Sequence, residues 1–259
     1  MKKQDLVNYL DNYLQIKLFT DKSKNGLQVD NSREDIKKIG YSVDASTYIF
    51  DFAKKEDVDM ILSHHGMYWW YEETLVWVPF LRAKKLIDND IALYASHLPL
   101  DAHNEVGNNI GLLKWFVNIF WLREWEYKIE SFWEYNWNTI WFWLRFDSKV
   151  HISSLQTLFA DTLKLQKKLY NFANKDFINS IAFVSWWAWD DIIKESFNKS
   201  YDLLLTWELK HSDIILSKEL GQSIMICWHY ETEKIWPKLL AYHLKDKFGI
   251  EVIFLDEKY

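Results

Sequence analysis

Asp59-Met60-Ile61-Leu62-Ser63-His64-His65-Gly66-Met67 is an apolar run that ends in two adjacent histidines. Its first half reads as a short buried strand, and Ser63 to Gly66 as the turn that leaves it. In an open α/β sheet, ligands bind outside the C-terminal ends of the strands, so this strand aims two imidazoles at a ligand crevice. Imidazole is the commonest protein metal ligand. Two half-exposed loop histidines are the alternative, and the choice turns on whether other ligands converge on the same place.

Outward from that run, strands and helices alternate. Leu6, Val7, Leu10, Leu14 and Leu18 predict a helix over 3–18, and Asn25-Gly26-Leu27-Gln28-Val29 a turn into extended chain. Residues 36–44 read as a strand, followed by Ser46 as N-cap of a helix over 47–55. Pro79 suits the first turn of a helix reaching Leu86, and 91–95 form another strand before Ser96-His97-Leu98-Pro99-Leu100-Asp101. The character changes over 124–175, with strands at 127–132 and 139–146, a helix at 152–163 and extended chain at 167–172. The βα rhythm then resumes: strand 181–185, helix 192–198, strand 202–206, helix 208–220, strand 223–227, helix 232–247, strand 251–255. The expected fold is α/β, mainly parallel βα units in two related halves with right-handed crossovers. Its expected parts are an N-terminal α/β half (1–123), an inserted α+β lobe (124–175) and a C-terminal α/β half (176–259).

Composition bounds the function. Of 259 residues, 49% are hydrophobic and 26% charged, ordinary globular usage. A net charge of -6 argues against a broad basic face for nucleic acid. No stretch is long and uncharged enough to span a bilayer, the start lacks an apolar signal core, and Cys227 alone allows no internal disulfide. A cytoplasmic location is the expectation.

One count is abnormal: 7 glycines and 16 tryptophans, where a typical chain of this length carries roughly 18 glycines. The tryptophans stand where glycine belongs, as in Ser185-Trp186-Trp187-Ala188-Trp189-Asp190 between a strand and a helix, and at Trp141, Trp143, Trp207 and Trp228. This pattern fits a source organism that reads UGA as glycine, its gene having been translated with UGA as tryptophan. The alternative is a tryptophan-rich protein with stacking surfaces.

Three strand ends carry the candidate ligands: His64 and His65; His97 and Asp101; His229 and Glu233. The i, i+4 spacing stacks His229 and Glu233 on one helix face if the helical turn already includes His229. Each has an ordinary reading as well: Asp101 as an N-cap, Glu233 as an acid at a helix start, His97 in a core. Glu208 and His211 read as an i, i+3 pair on the helix after Thr206, on the surface or behind the ligands, and Cys227 as a buried thiol. Histidines and carboxylates together suit Zn, Fe, Mn, Co or Ni, and the whole set exceeds what one tetrahedral ion needs. Two ions about 3.5–4 Å apart would use it all.

At these residues the sequence resembles a known family. Asn25-Gly26-Leu27-Gln28-Val29, Ser63-His64-His65-Gly66, His97-Leu98-Pro99-Leu100-Asp101, Thr206-Trp207-Glu208 and His229-Tyr230-Glu231-Thr232-Glu233 resemble the signature blocks of the Nif-three-like dinuclear metal-centre proteins, the GTP cyclohydrolase 1 type 2 homologues. The resemblance implies two related α/β lobes and a ring-shaped homohexamer. It also implies two divalent ions on His64, His65, Asp101, His229 and Glu233. The expected activity is a metal-dependent hydrolase or cyclohydrolase acting on a small molecule, with His97 or Glu208 available for proton transfer. A non-catalytic metal-storage, metal-delivery or regulatory scaffold is the alternative. No GxxxxGK[ST] phosphate loop is present.

Overall fold

The computed structural model describes residues 1–69, 74–131, 134–135, 138–163, 168–227 and 229–257. Phe132, Lys167 and Trp228, and the side chains of Trp186 and Trp187, lie outside the described residues. In chain order the elements are α1 (Lys3–Tyr13), β1 (Gly26–Val29), β2 (Lys38–Asp44), α2 (Thr47–Lys55), β3 (Met60–His65), α3 (Trp77–Asp88), β4 (Ala92–Ala95) and α4 (Leu98–Asp101). Then come α5 (Asn108–Ile119), β5 (Tyr127–Ser131), β6 (Glu134–Tyr135), β7 (Asn138–Thr139), β8 (Phe142–His151), α6 (Ile152–Leu163) and β9 (Lys168–Tyr170). The last are β10 (Phe177–Trp187), α7 (Asp190–Asn198), β11 (Leu203–Glu208), α8 (His211–Leu220), β12 (Ser223–Ile226), α9 (His229–Glu233), α10 (Ile235–Phe248) and β13 (Glu251–Phe254).

This is an α/β fold with two main sheets, and the chain divides into two compact units. One comprises Met1–Gly107 with Lys234–Tyr259, the other Asn108–Glu233. The first unit holds a sheet of order β1-β4-β3-β2-β13, in which β2, β3, β4 and β13 run parallel and β1 is an antiparallel edge. Ile49, Phe50 and Ala53 of α2 and Leu86 of α3 pack with Ile61 and Leu93 in a buried core. That accounts for the apolar spacing of α2, and Ser46 caps it as expected, its Oγ accepting from the Ile49 amide at 3.2 Å. Asp59 fixes the register of the central strands, its carboxylate accepting from the Lys37 and Lys38 amides (2.7 and 2.9 Å) and pairing with Arg33.

In the second unit the sheet order is β5-β8-β10-β11-β12-β9, with β10, β11 and β12 parallel and β8 and β9 antiparallel to their neighbours. The expected boundaries at 124 and 175 do not coincide with the units. Residues 124–175 supply β5, β8 and β9 to the same sheet as β10, β11 and β12, because β8 pairs with β10 from Phe177↔His151 to Phe183↔Phe142. The chain also returns to the first unit for β13, which pairs with β2. Among the described residues, no helix is long and apolar enough to cross a membrane.

Candidate metal centre

In the first unit the histidine pair ends β3 itself, where a turn was expected: His65 pairs with Asp44 in the parallel ladder to β2. Gly66 follows because there is no room for a side chain. A Cβ there would stand 2.3 Å from Gln28 Nε2 and 2.6 Å from the Ala95 Cβ. The next strand, β4, delivers Ser96 and His97, and α4 then carries Asp101 back beneath them.

Three imidazoles meet at these strand ends. Ring centroids lie 4.7 Å apart for His64 and His65, 5.2 Å for His64 and His97, and 5.7 Å for His65 and His97. Each offers a ring nitrogen within 4.8 Å of the others'. Each Nδ1 also faces an oxygen that can only accept. His64 Nδ1 donates to the Ser96 carbonyl at 3.0 Å, His65 Nδ1 to Asp44 Oδ1 at 2.9 Å, and His97 Nδ1 to the Asp21 carboxylate at 3.1 Å. A proton held on Nδ1 leaves the lone pair on Nε2, the tautomer a metal ligand needs. Burial pushes the Asp21 carboxyl up, but His97, Asn25 and the Leu98 amide outweigh it and hold it below the usual carboxylate range.

Asp101 is fully buried, with Oδ1 3.7 Å from His64 Nε2. Two donors about 2.1 Å from one ion can lie up to about 4.2 Å apart, so this pair fits a shared cation. The N-cap reading of Asp101 does not hold. It is the last residue of α4, whose N-cap position belongs to His97, and its amide donates to the His97 carbonyl at 3.0 Å.

The second unit carries a different set. His229 opens α9, so the i, i+4 stack forms: His229 Nε2 lies 2.9 Å from the fully buried Glu233, while Nδ1 lies 3.1 Å from Glu208. Burial lowers the His229 pKa, but Glu233 and Glu208 together overcome that and raise it to about 9. Such a site attracts a cation, and a metal ion can take the place of the proton. Glu208 is not on a helix with His211 as expected. It ends β11, in register with Trp187 of β10, and α8 begins only at His211. A cleft of about 350 Å³ lined by Trp207, Glu208, Leu209, Ile226 and His229 opens beside it. Cys227 is buried, and among the described residues neither it nor His211 belongs to a metal-capable group.

Asp21, Asp44 and Ser96 escaped the sequence reading as supports of the imidazoles. Asp44 was visible only as a strand end, and Asp21 lies in a polar loop without periodicity.

The family model of Duf34/NIF3 (NGG1p interacting factor 3) matches residues 1–259. The chain belongs to the Duf34/NIF3 family. One Duf34/NIF3 relative, the GTP cyclohydrolase 1 type 2 homolog of Pyrococcus horikoshii, is 37% identical over 257 residues, covering 99% of this chain and 98% of its own. The crystal structure of TTHA1606 from Thermus thermophilus is similar at a TM-score of 0.82 and 31% identity, covering 100% of this chain and 99% of that one. Reduced HcgD from Methanocaldococcus jannaschii shares the fold at a TM-score of 0.82 and 24% identity, covering 99% of this chain and 98% of its own.

Proposed function

We propose that this Duf34/NIF3 protein is a divalent-metal-dependent hydrolase of the cyclohydrolase type. Two ions would be held by His64, His65, Asp101, His229 and Glu233. The observation that carries the reading is the trio of imidazoles whose Nδ1 atoms are all committed to acceptors, which prepares nitrogen donors beside a buried carboxylate. Ions bound there would supply Lewis acidity and a hydrolytic nucleophile near neutral pH. His97, braced by Asp21, and the exposed Glu208 would be the groups that move protons. The names of relatives such as the Pyrococcus horikoshii protein make GTP the first substrate to try. The protein would work in the cytoplasm as a homohexamer, a state that light scattering reads directly.

The test is turnover of GTP and a panel of nucleotides and phosphoesters by metal-loaded protein. Metal-dependent turnover abolished in Asp101→Ala is the expected result. Stoichiometric metal without turnover of any compound would point instead to metal storage, metal delivery or a regulatory scaffold.

A further inference from the structure

Beside the histidine pair the first unit opens a cleft of about 340 Å³, lined by Asp44, Ala45, His65, Gly66, Trp69 and Arg82. Arg82 is its cation, and its state differs from that of the chain's other arginines. Arg33 pairs with Asp59, Arg145 donates to the Lys199 carbonyl and lies over Tyr201, and Arg123 lies over Trp125. Arg82 Nε is buried with no hydrogen-bond partner among the described residues, and its guanidinium enters no ion pair with any of them. Asp44, on the same cleft, is instead engaged by His65. A guanidinium that lines a cleft without a carboxylate partner among the described residues is open to pairing with an oxyanion that enters the cleft.

We propose that Arg82 is a substrate-binding residue that takes an oxyanion, phosphate or carboxylate, of the molecule acted on at the metal centre. This rests on the metal-hydrolase reading for the identity of the site. The guanidinium is a planar fork that matches such groups in a bidentate manner, and it never loses its charge. Because His65 and Arg82 line one cleft, a molecule filling it reaches a candidate ligand and the arginine together. The substrate class is therefore anionic small molecules.

Calorimetric titration of the full chain, metal-free and metal-loaded, with inorganic phosphate and with acetate tests this in the wild type, Arg82→Met and Arg82→Lys. The wild type should bind one oxyanion per chain, Arg82→Met at least tenfold more weakly, and Arg82→Lys in between, with metal content and thermal midpoint unchanged. Preference for phosphate assigns a phosphorylated substrate, and preference for acetate a carboxylate one. Equal phosphate and acetate binding by Arg82→Met and the wild type, or none by either, overturns the proposal. If the chain takes up no metal, the hydrolase reading fails, while the metal-free titration still decides the role of Arg82.

A separate observation concerns the tryptophans. Trp121 has φ 53° and Trp77 φ 49°, the left-handed region that a bulky residue rarely adopts. Trp121 sits just past α5, where its amide donates to Asn118 and the Leu122 amide to Val117, the hydrogen-bond pattern of a Schellman ending. After α8 the same pattern is built on Gly221, φ 73°. Trp143 also lies with its ring centroid 3.3 Å from that of Tyr201, closer than the separation of about 4.5–7 Å that aromatic pairs adopt. We infer that Trp77, Trp121 and Trp143 are glycines in the native protein, encoded by UGA. Peptide mass spectrometry of the protein from its own cells should find glycine at these positions, and Trp121→Gly made recombinantly should raise the midpoint by about 2–4 °C. UGG codons at these positions, or tryptophan in the native peptides, would overturn the inference.

Discussion

The two units share a frame and differ in the chemistry they hang on it. In the first, β4-β3-β2 run parallel behind the antiparallel edge β1; in the second, β12-β11-β10 do the same behind β9. In both, an aspartate just before the central strand ties down the neighbouring strand: Asp59 on Lys37 and Lys38, Asp202 on Asn179 and Ser180. In both, donors sit at the C-terminal ends of the same two strands or just after them. The first unit offers imidazoles whose Nδ1 atoms face acceptors, the second a histidine between two carboxylates that hold its proton. The shared frame fixes where the candidate ligands appear, and the outer hydrogen bonds distinguish one set from the other.

Asp59→Ala should break the comparison most severely. It removes the partner of Arg33 and two backbone acceptors from a nearly buried site, at a cost of about 3 kcal/mol. Hydrogen exchange should show the loss concentrated in the amides of β2 and β3. A uniform loss across both sheets would mean that the two units do not unfold separately.

Next comes Asp21→Asn, which removes the charge that braces His97. Metal affinity measured by competition with a chelator should fall about 10–100-fold if His97 helps hold or orient the bound ion. The Co(II) absorption spectrum should shift as well, a readout that a merely structural role would leave alone.

Asp202 gives a pH test. Burial pushes its carboxyl up, but the Asn179 amide, Lys175 and Ser180 hold it below the ordinary value. Its contribution is therefore full above the unfolded pKa of about 3.9 and lost as pH falls through the lower native one. Urea titrations from pH 6 to 2 should show an acid limb that flattens in Asp202→Asn. The smallest effect is at the helices that follow β2 and β10. Ser46 caps α2, whereas Trp189 leaves α7 without a side-chain cap, so Ser46→Ala should cost about 1 kcal/mol by denaturant unfolding.

Local patterns made much of this legible. The helix over 47–55 and its Ser46 cap, and the helix over 152–163, follow directly from apolar spacing and capping chemistry. The strand that ends in His64 and His65 was legible too, though by two residues too short, because a strand's pairing with its neighbour decides where it stops. Pairings between distant segments were not legible. Nothing local announces that β13 joins β2, or that β8 joins β10. Glu208 read as helical because Glu208 and His211 have helical spacing, yet the ladder to β10 keeps it extended. In the candidate site, donors at strand ends showed in the sequence as histidines. Asp21 and Asp44 did not, since an outer carboxylate is defined only by the imidazole that folding brings to it.

The central claim is that these histidines and carboxylates hold divalent ions, and elemental analysis of the purified full chain, after exchange into metal-free buffer, tests it most directly. Two ions per chain in the wild type, reduced in His64→Ala and in Asp101→Ala with the fold retained, is the predicted result. A wild-type chain that keeps no stoichiometric metal, and takes none up from Zn, Fe, Mn, Co or Ni, would contradict it.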